Sequence, residues 1–246
     1  MASTTGDIMS TAGLARLSVQ TSRNARSIAL ENIRHRIITL EFAPGSHLSE
    51  NELAGQLGIS RTPVRESLIL LAEEQLVSIV PQVGTVVSPI VESEIATAQF
   101  VRESLELAAL SESVQLAGTA DVAALNALVA QQRLADTTHD IERFFTLDEE
   151  FHYALMSISG HGAAWRTVGQ AKAHLDRARR LSLTTTEQLS LLIDQHQSIV
   201  DSLERGDAAQ AAAALRGHLR KVFDDIADIR LKNPALFAQP TGLRRR

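Results

Sequence analysis

The segment from Ser49 to Glu66 permits few folds, because it opens two helices separated only by a tight turn. Ser49 followed by Glu52 forms a capping box, in which side chains satisfy amides that a helix start leaves without partners. Leu53, Ala54 and Leu57 mark the buried face of a short helix, and Gly58 closes it. Ser60 caps the next helix, where Pro63 is tolerated because first-turn amides have no helical acceptor. That helix runs from Arg61 to about Gln75, with Val64, Leu68 and Leu71 inward and Arg61, Thr62 and Arg65 on the outer side. Short helix, turn and longer helix have the spacing of a helix-turn-helix.

The flanks complete a small domain. Upstream, Ile28, Ala29, Ile33, Ile37 and Leu40 recur at helical spacing and predict an amphipathic helix over residues 26–40, which Pro44-Gly45 stops. Downstream, Val77–Val80 and Thr85–Ser88 are β-prone runs around Pro81-Gln82-Val83-Gly84, so they predict a hairpin wing. A helix N-terminus carrying Arg suits the major groove: its amides favour phosphate and a guanidinium can pair with guanine. Arg61 and Arg65 are the base-reading candidates, with Ser60, Thr62 and Pro63 at the helix start and Gly84 at the wing. Charge supplies no support, because the chain carries −5 overall and residues 21–90 hold six Arg against seven Glu. Duplex binding therefore has to come from local placement.

These residues resemble the GntR superfamily of transcription regulators, in Pro44-Gly45-Ser46-His47-Leu48-Ser49-Glu50-Asn51-Glu52-Leu53-Ala54 and in Gly58-Ile59-Ser60-Arg61-Thr62-Pro63-Val64-Arg65-Glu66. The resemblance implies palindromic operator DNA as a partner. The chain departs from it at Asn51 and near Val83, where relatives often carry a basic residue.

Beyond Pro89 every periodic segment is helical, and the breaks predict six helices, over 92–117, 121–135, 140–159, 163–181, 186–205 and 207–230. Their inner stripes contain unexpected polar groups. Asp148 and His152 share the arc of Phe144, Phe151 and Leu155; His196 lies amid Leu192, Ile193 and Ile199; His218 lies between Leu215 and Val222. One carboxylate and three imidazoles turned into one core need a shared partner, and the set suits Zn, Ni, Fe or Mn. Cysteine is absent, so a metal site has only nitrogen and oxygen ligands available. Arg102 also falls on an inner stripe, where either Glu106 one turn on or an anionic ligand could satisfy it. His35, His47, His139 and His161 read as ordinary polar residues, and His174 fits either role.

This half resembles the FCD effector domain of the FadR-like GntR subfamily, in its six-helix, VanR-like branch, through Val101-Arg102-Glu103-Ser104-Leu105-Glu106, Asp148, His152, His196 and His218. The resemblance implies a metal at those four residues and a small carboxylic acid effector near Arg102, with Arg177 and Trp165 as further pocket residues. The whole chain then reads as mainly α: a flexible arm at 1–22, a winged helix-turn-helix at 23–90, an all-α FCD bundle for effector binding and dimerisation at 91–232, and a tail at 233–246. The function expected is a cytoplasmic, homodimeric, acid-responsive transcriptional repressor without catalytic residues. A metal-dependent enzyme using the Asp/His3 set is the alternative, and a helical interaction module with structural histidines is a third reading. The opening residues lack a secretory signal's charged and apolar parts, and no apolar run approaches the roughly 18 residues of a membrane span.

Overall fold

The computed structural model describes residues 11–183 and 186–238, with side chains from residue 24 onward except those of 184–187. The chain divides into two compact units, Met1–Pro89 and Ile90–Arg246, one residue from the boundary expected between domains.

In the first unit, α1 (Thr11–Ile38) packs on α3 (Arg61–Glu73), with α2 (Glu50–Leu57) beside it. Ala29, Ile33 and Ile37 are fully buried against Val64, Leu68 and Leu71, which is the stripe that the periodicity requires. Ile28 lies outside it and is exposed. Ser67 lies at the crossing, its hydroxyl 2.9 Å from Arg26 O on α1 and 2.8 Å from Pro63 O on its own helix. Three strands, β1 (His47–Leu48), β2 (Val77–Val80) and β3 (Gly84–Val87), form an antiparallel sheet in the order β1-β3-β2. The hairpin between β2 and β3 is the expected wing. The first helix differs from expectation, since it starts at Thr11 within the segment read as an arm. Residues 1–10 of that arm lie outside the described residues.

The second unit is helical: α4 (Glu92–Leu116), α5 (Thr119–Thr137), α6 (Ile141–Ile158), α7 (Trp165–Ala171), α8 (Ala173–Ser182), α9 (Thr186–Glu204) and α10 (Ala208–Lys232). The predicted fourth helix is thus two segments, interrupted at Lys172. The interruption coincides with an ionic demand, for Lys172 is buried and its ammonium donates to Glu149 at 2.6 Å and Asp176 at 2.7 Å. Leu110, Phe144, Phe151, Ile193, Ile199 and Leu215 belong to the main core between α4, α5, α6, α9 and α10.

The tail requires a correction. After α10, Pro234–Leu236 make a single 3-10 turn, and Phe237 pairs in parallel with Ile90 through Ala238 N to Ile90 O at 2.8 Å. Phe237 is only 4% exposed, in a second apolar cluster with Ile90, Ile95, Leu175 and Ile229. The domain therefore continues to residue 238, because Leu236 and Phe237 have apolar surface to bury; residues 239–246 lie outside the described ones. Phe237→Ala should lower the unfolding free energy of this unit by about 3 kcal/mol. Urea unfolding followed by circular dichroism checks this, and an unchanged midpoint would mean that the tail does not pack.

Candidate functional site

In the first unit the recognition elements form as their sequence dictates. Ser49 caps α2, its hydroxyl accepting from Glu52 N at 3.4 Å, and Gly58 ends it in the left-handed conformation at φ 65°. Ser60 has the extended backbone of a helix cap but its side chain makes no capping bond, contrary to expectation, which leaves the hydroxyl turned to solvent. Pro63 is buried, so it shapes the first turn of α3 and offers no contact surface. Thr62 and Gly84 are exposed, and Gly84 adopts φ +109°, a backbone that other residues rarely take.

Arg61 and Arg65 are exposed as expected, their side chains 58% and 61% accessible, but they are not unpaired. Glu50, at the start of α2, accepts from Arg65 Nε at 2.9 Å and Nη2 at 2.8 Å and from Arg61 Nη2 at 3.2 Å. The Arg65 guanidinium, with burial opposing it and Arg61 adding to it, pulls the Glu50 pKa down. Each carboxylate–guanidinium contact occupies the donors that a phosphate or a guanine would use.

In the second unit, α6, α9 and α10 bring Asp148, His152, His196 and His218 together, with one ligand atom of each within 4.8 Å of all the others. All four residues are buried. His218 Nε2 lies 3.2 Å from His152 Nε2 and 3.2 Å from His196 Nε2, while Asp148 Oδ1 lies 3.9 and 3.6 Å from those two nitrogens. Four ligands about 2.1 Å from a tetrahedral metal stand about 3.4 Å apart, and these four separations lie close to that value.

Partners outside the cluster fix the tautomers. His152 Nδ1 donates to Glu106 Oε2 at 2.7 Å, an acceptor-only carboxylate. His196 Nδ1 donates to Gln132 Oε1 at 2.8 Å, and the amide orientation is set because Gln132 Nε2 donates to Leu147 O. His218 Nδ1 donates to Gln195 Oε1 at 3.1 Å. A neutral imidazole with its proton on Nδ1 presents a lone pair at Nε2, so three lone pairs converge beside a carboxylate oxygen. Burial pushes the His196 pKa down to about 3 and, with His196 and His152 beside it, holds His218 well below its usual range. Burial also opposes the charge of Asp148, but Arg179, His152 and His196 outweigh it and hold the carboxyl ionised.

Comparison with known proteins follows the same division. Residues 26–87 match the model described as "Bacterial regulatory proteins, gntR family", and residues 98–221 match the FCD domain. An HTH-type transcriptional regulator from an unstable DNA locus of Streptomyces ambofaciens is 49% identical, over 87% of this chain and 90% of its own. The HTH-type transcriptional repressor RspR of Escherichia coli is 31% identical over 84% and 91%. The chain belongs to the GntR family of regulators, with an FCD domain. It is a DNA-binding transcriptional regulator, and its family and relatives are regulators rather than enzymes. The structure of E. coli McbR/YncC has the same fold, with a TM-score of 0.71 at 21% identity over 85% of this chain and 98% of that one.

The regulator's remaining predicted residues divide between two places. Arg102 is buried, and its Nε donates to Glu106 Oε1 at 2.6 Å, so the internal partner is real. Its Nη2 nevertheless has no hydrogen-bond partner among the described residues. Trp165 stacks on His152, ring centroids 6.0 Å apart and planes 8° apart. Arg177 is not brought to the cluster: it is fully buried at His174 Nδ1, 2.8 Å away, and burial lowers its pKa to about 10. His174 in turn accepts from Val91 N at 3.2 Å. The guanidinium at the cluster is that of Arg179, whose Nη2 donates to both oxygens of Asp148 at 2.9 Å. Two residues of helix turn a side chain by about 200°, which is why neighbouring arginines go to different places. Arg179 stands four residues after the buried Leu175, a spacing that marks it as inward but does not name its partner, and Glu50, Gln132 and Gln195 likewise answer partners on other helices.

Two outcomes follow from these contacts. Glu50→Gln should raise affinity for random duplex DNA roughly threefold to tenfold at low salt, with the gain fading as salt screens it, and Arg65→Ala should lower affinity. Fluorescence anisotropy across a salt series measures both. Glu106 is held ionised down to about 2 because His152 and Arg102 outweigh its burial, against 4.5 for an ordinary glutamate. Its stabilising contribution is therefore complete above pH 4.5 and lost as pH falls toward 2. Metal-free Glu106→Gln protein, unfolded with urea across that window, should show a flatter dependence of stability on pH than the parent.

Proposed function

We propose that the regulator is a homodimeric repressor in the cytoplasm whose grip on a palindromic operator is set by a small carboxylic acid, bound at a divalent metal held by Asp148, His152, His196 and His218. The observation that carries this reading is the convergence of three Nε2 lone pairs and a carboxylate oxygen, each imidazole turned by its own outer acceptor. Such a set, buried and without a cation, leaves lone pairs facing each other, and it suits Zn, Ni, Fe or Mn. When bound, the metal supplies a Lewis-acidic point for a carboxylate oxygen. Arg102, with Nη2 lacking a partner among the described residues, supplies the charge-assisted hydrogen bond for the same anion.

A cavity beside the cluster is lined by Arg102, Arg179, His218, Leu192 and Val222, and Lys221 and Asp225 pair across part of its wall at 2.7 Å. Its enclosed space is about 20 Å3, on the order of one water molecule, so an acid enters as partly exposed groups such as Lys221 and Asp225 move apart. On the operator, Arg61 and Arg65 read bases in the major groove while Ser60, Thr62 and Gly84 lie at the backbone. The repressing sense draws support from relatives named as repressors, RspR and the gluconate operon repressor of Bacillus subtilis, the latter 25% identical over 83% of this chain. Among the described residues no helix is long and apolar enough to cross a membrane.

The test joins elemental analysis to operator selection. Purified protein should carry about one divalent metal per chain, and DNA selected from a random pool should be released by particular carboxylic acids only without chelator. A variant with Asp148→Ala and His196→Ala should keep its DNA affinity and lose both the metal and the acid response. Metal-free parent protein, or a variant with an unchanged response, would overturn the reading.

A further inference from the structure

Asp148 is the anionic member of the four-residue cluster, and it is already engaged. Arg179 Nη2 stands 2.9 Å from Oδ2 and also 2.9 Å from Oδ1, the oxygen that faces His196 and His152. A bond to the far oxygen is enough to orient a ligating carboxylate, whose near oxygen then keeps both of its lone pairs. This guanidinium bonds both oxygens. Charge points the same way. Arg102 and Arg179 balance Glu106 and Asp148 around the cluster, all four buried. A divalent cation adds two positive charges where little water screens them, beside a guanidinium that repels it. Arg179 also lines the cavity that Arg102 lines.

We propose that Arg179 is an exchangeable counter-ion. It holds Asp148 in the metal-free protein, turns from Oδ1 when a divalent cation binds, and then takes the carboxylate of the acid beside Arg102. The inference rests on the metal-and-acid reading above and adds, to the direct contact between the two ligands, a coupling through one side chain. Metal and acid then bind cooperatively, and each tightens the other by the same factor.

The experiment titrates Co2+ into chelator-treated full-length protein, parent and Arg179→Gln, with and without acetate, lactate or succinate. Trp165 is the only tryptophan in the chain and stacks on His152, so its fluorescence, with the visible absorption of Co2+, reports occupancy. Arg179→Gln should bind Co2+ alone about tenfold more tightly, because the competitor is gone. The Co2+-loaded variant should bind the acid at least about tenfold more weakly, and the acid should tighten Co2+ by a smaller factor than in the parent. Opposite shifts cannot come from a loosened fold, which weakens both. Arg179→Lys keeps the charge on a single-point head and should recover acid binding in part, which covers a poorly folded glutamine variant. Weaker Co2+ binding by Arg179→Gln, or an acid affinity equal to the parent's, would overturn the proposal alone. Parent protein that takes up no Co2+, or none of the three acids once loaded, would overturn the metal-and-acid reading and this inference with it.

Discussion

The second unit depends on one constraint, that three imidazoles buried together must each place a proton somewhere other than the space they share. Glu106, Gln132 and Gln195 meet it by accepting from the three Nδ1 atoms, and they come from α4, α5 and α9. The demand propagates outward. Glu106 is ionised in the core and so needs Arg102, while Gln132 needs the Leu147 carbonyl to fix its amide. Asp148 is ionised and so needs Arg179 on α8. A polar cluster of this kind costs several kcal/mol unless each member is matched, and the matches tie together helices that the apolar core alone would let slide.

The first unit solves a different problem with the same chemistry. A recognition helix has to present arginines to solvent, yet its domain is slightly acidic. Glu50 at the N-terminus of α2 gives both arginines an anion in the absence of DNA and is itself favoured there by the helix dipole. The pair is exposed, so it adds little stability, and its effect falls on how strongly the face attracts phosphate.

Where a residue's place follows from its own helix, the sequence was legible. The stripe of α6 turns Asp148 and His152 inward whatever surrounds it, and the stripes of α9 and α10 do the same for His196 and His218. Buried Val64, Leu68 and Leu71 made the helix-turn-helix readable in the same way. What escaped depends on a second element. Ser60 holds the cap position but makes no capping bond, because only the tertiary path of the turn decides where its hydroxyl points. Arg177 and Arg179 are both buried on α8, and nothing in their spacing tells which one meets a carboxylate on α6. The end of α10 was clear, but Phe237 needs Ile90, far away in sequence, to become a core residue.

The same short helix therefore has two duties within the second unit. Through Arg179, α8 holds the carboxylate of the ligand cluster; through His174, one turn and a half earlier, it holds the backbone amide of Val91 at the very start of the unit. Leu175 and Ala178, between them, are fully buried in the cluster that also contains Ile90 and Phe237. Packed interiors shift between discrete arrangements rather than deform continuously. Arg179 and His174 belong to one short helix that also packs on α4 and α10, and the interruption at Lys172 separates it from α7, which carries Trp165.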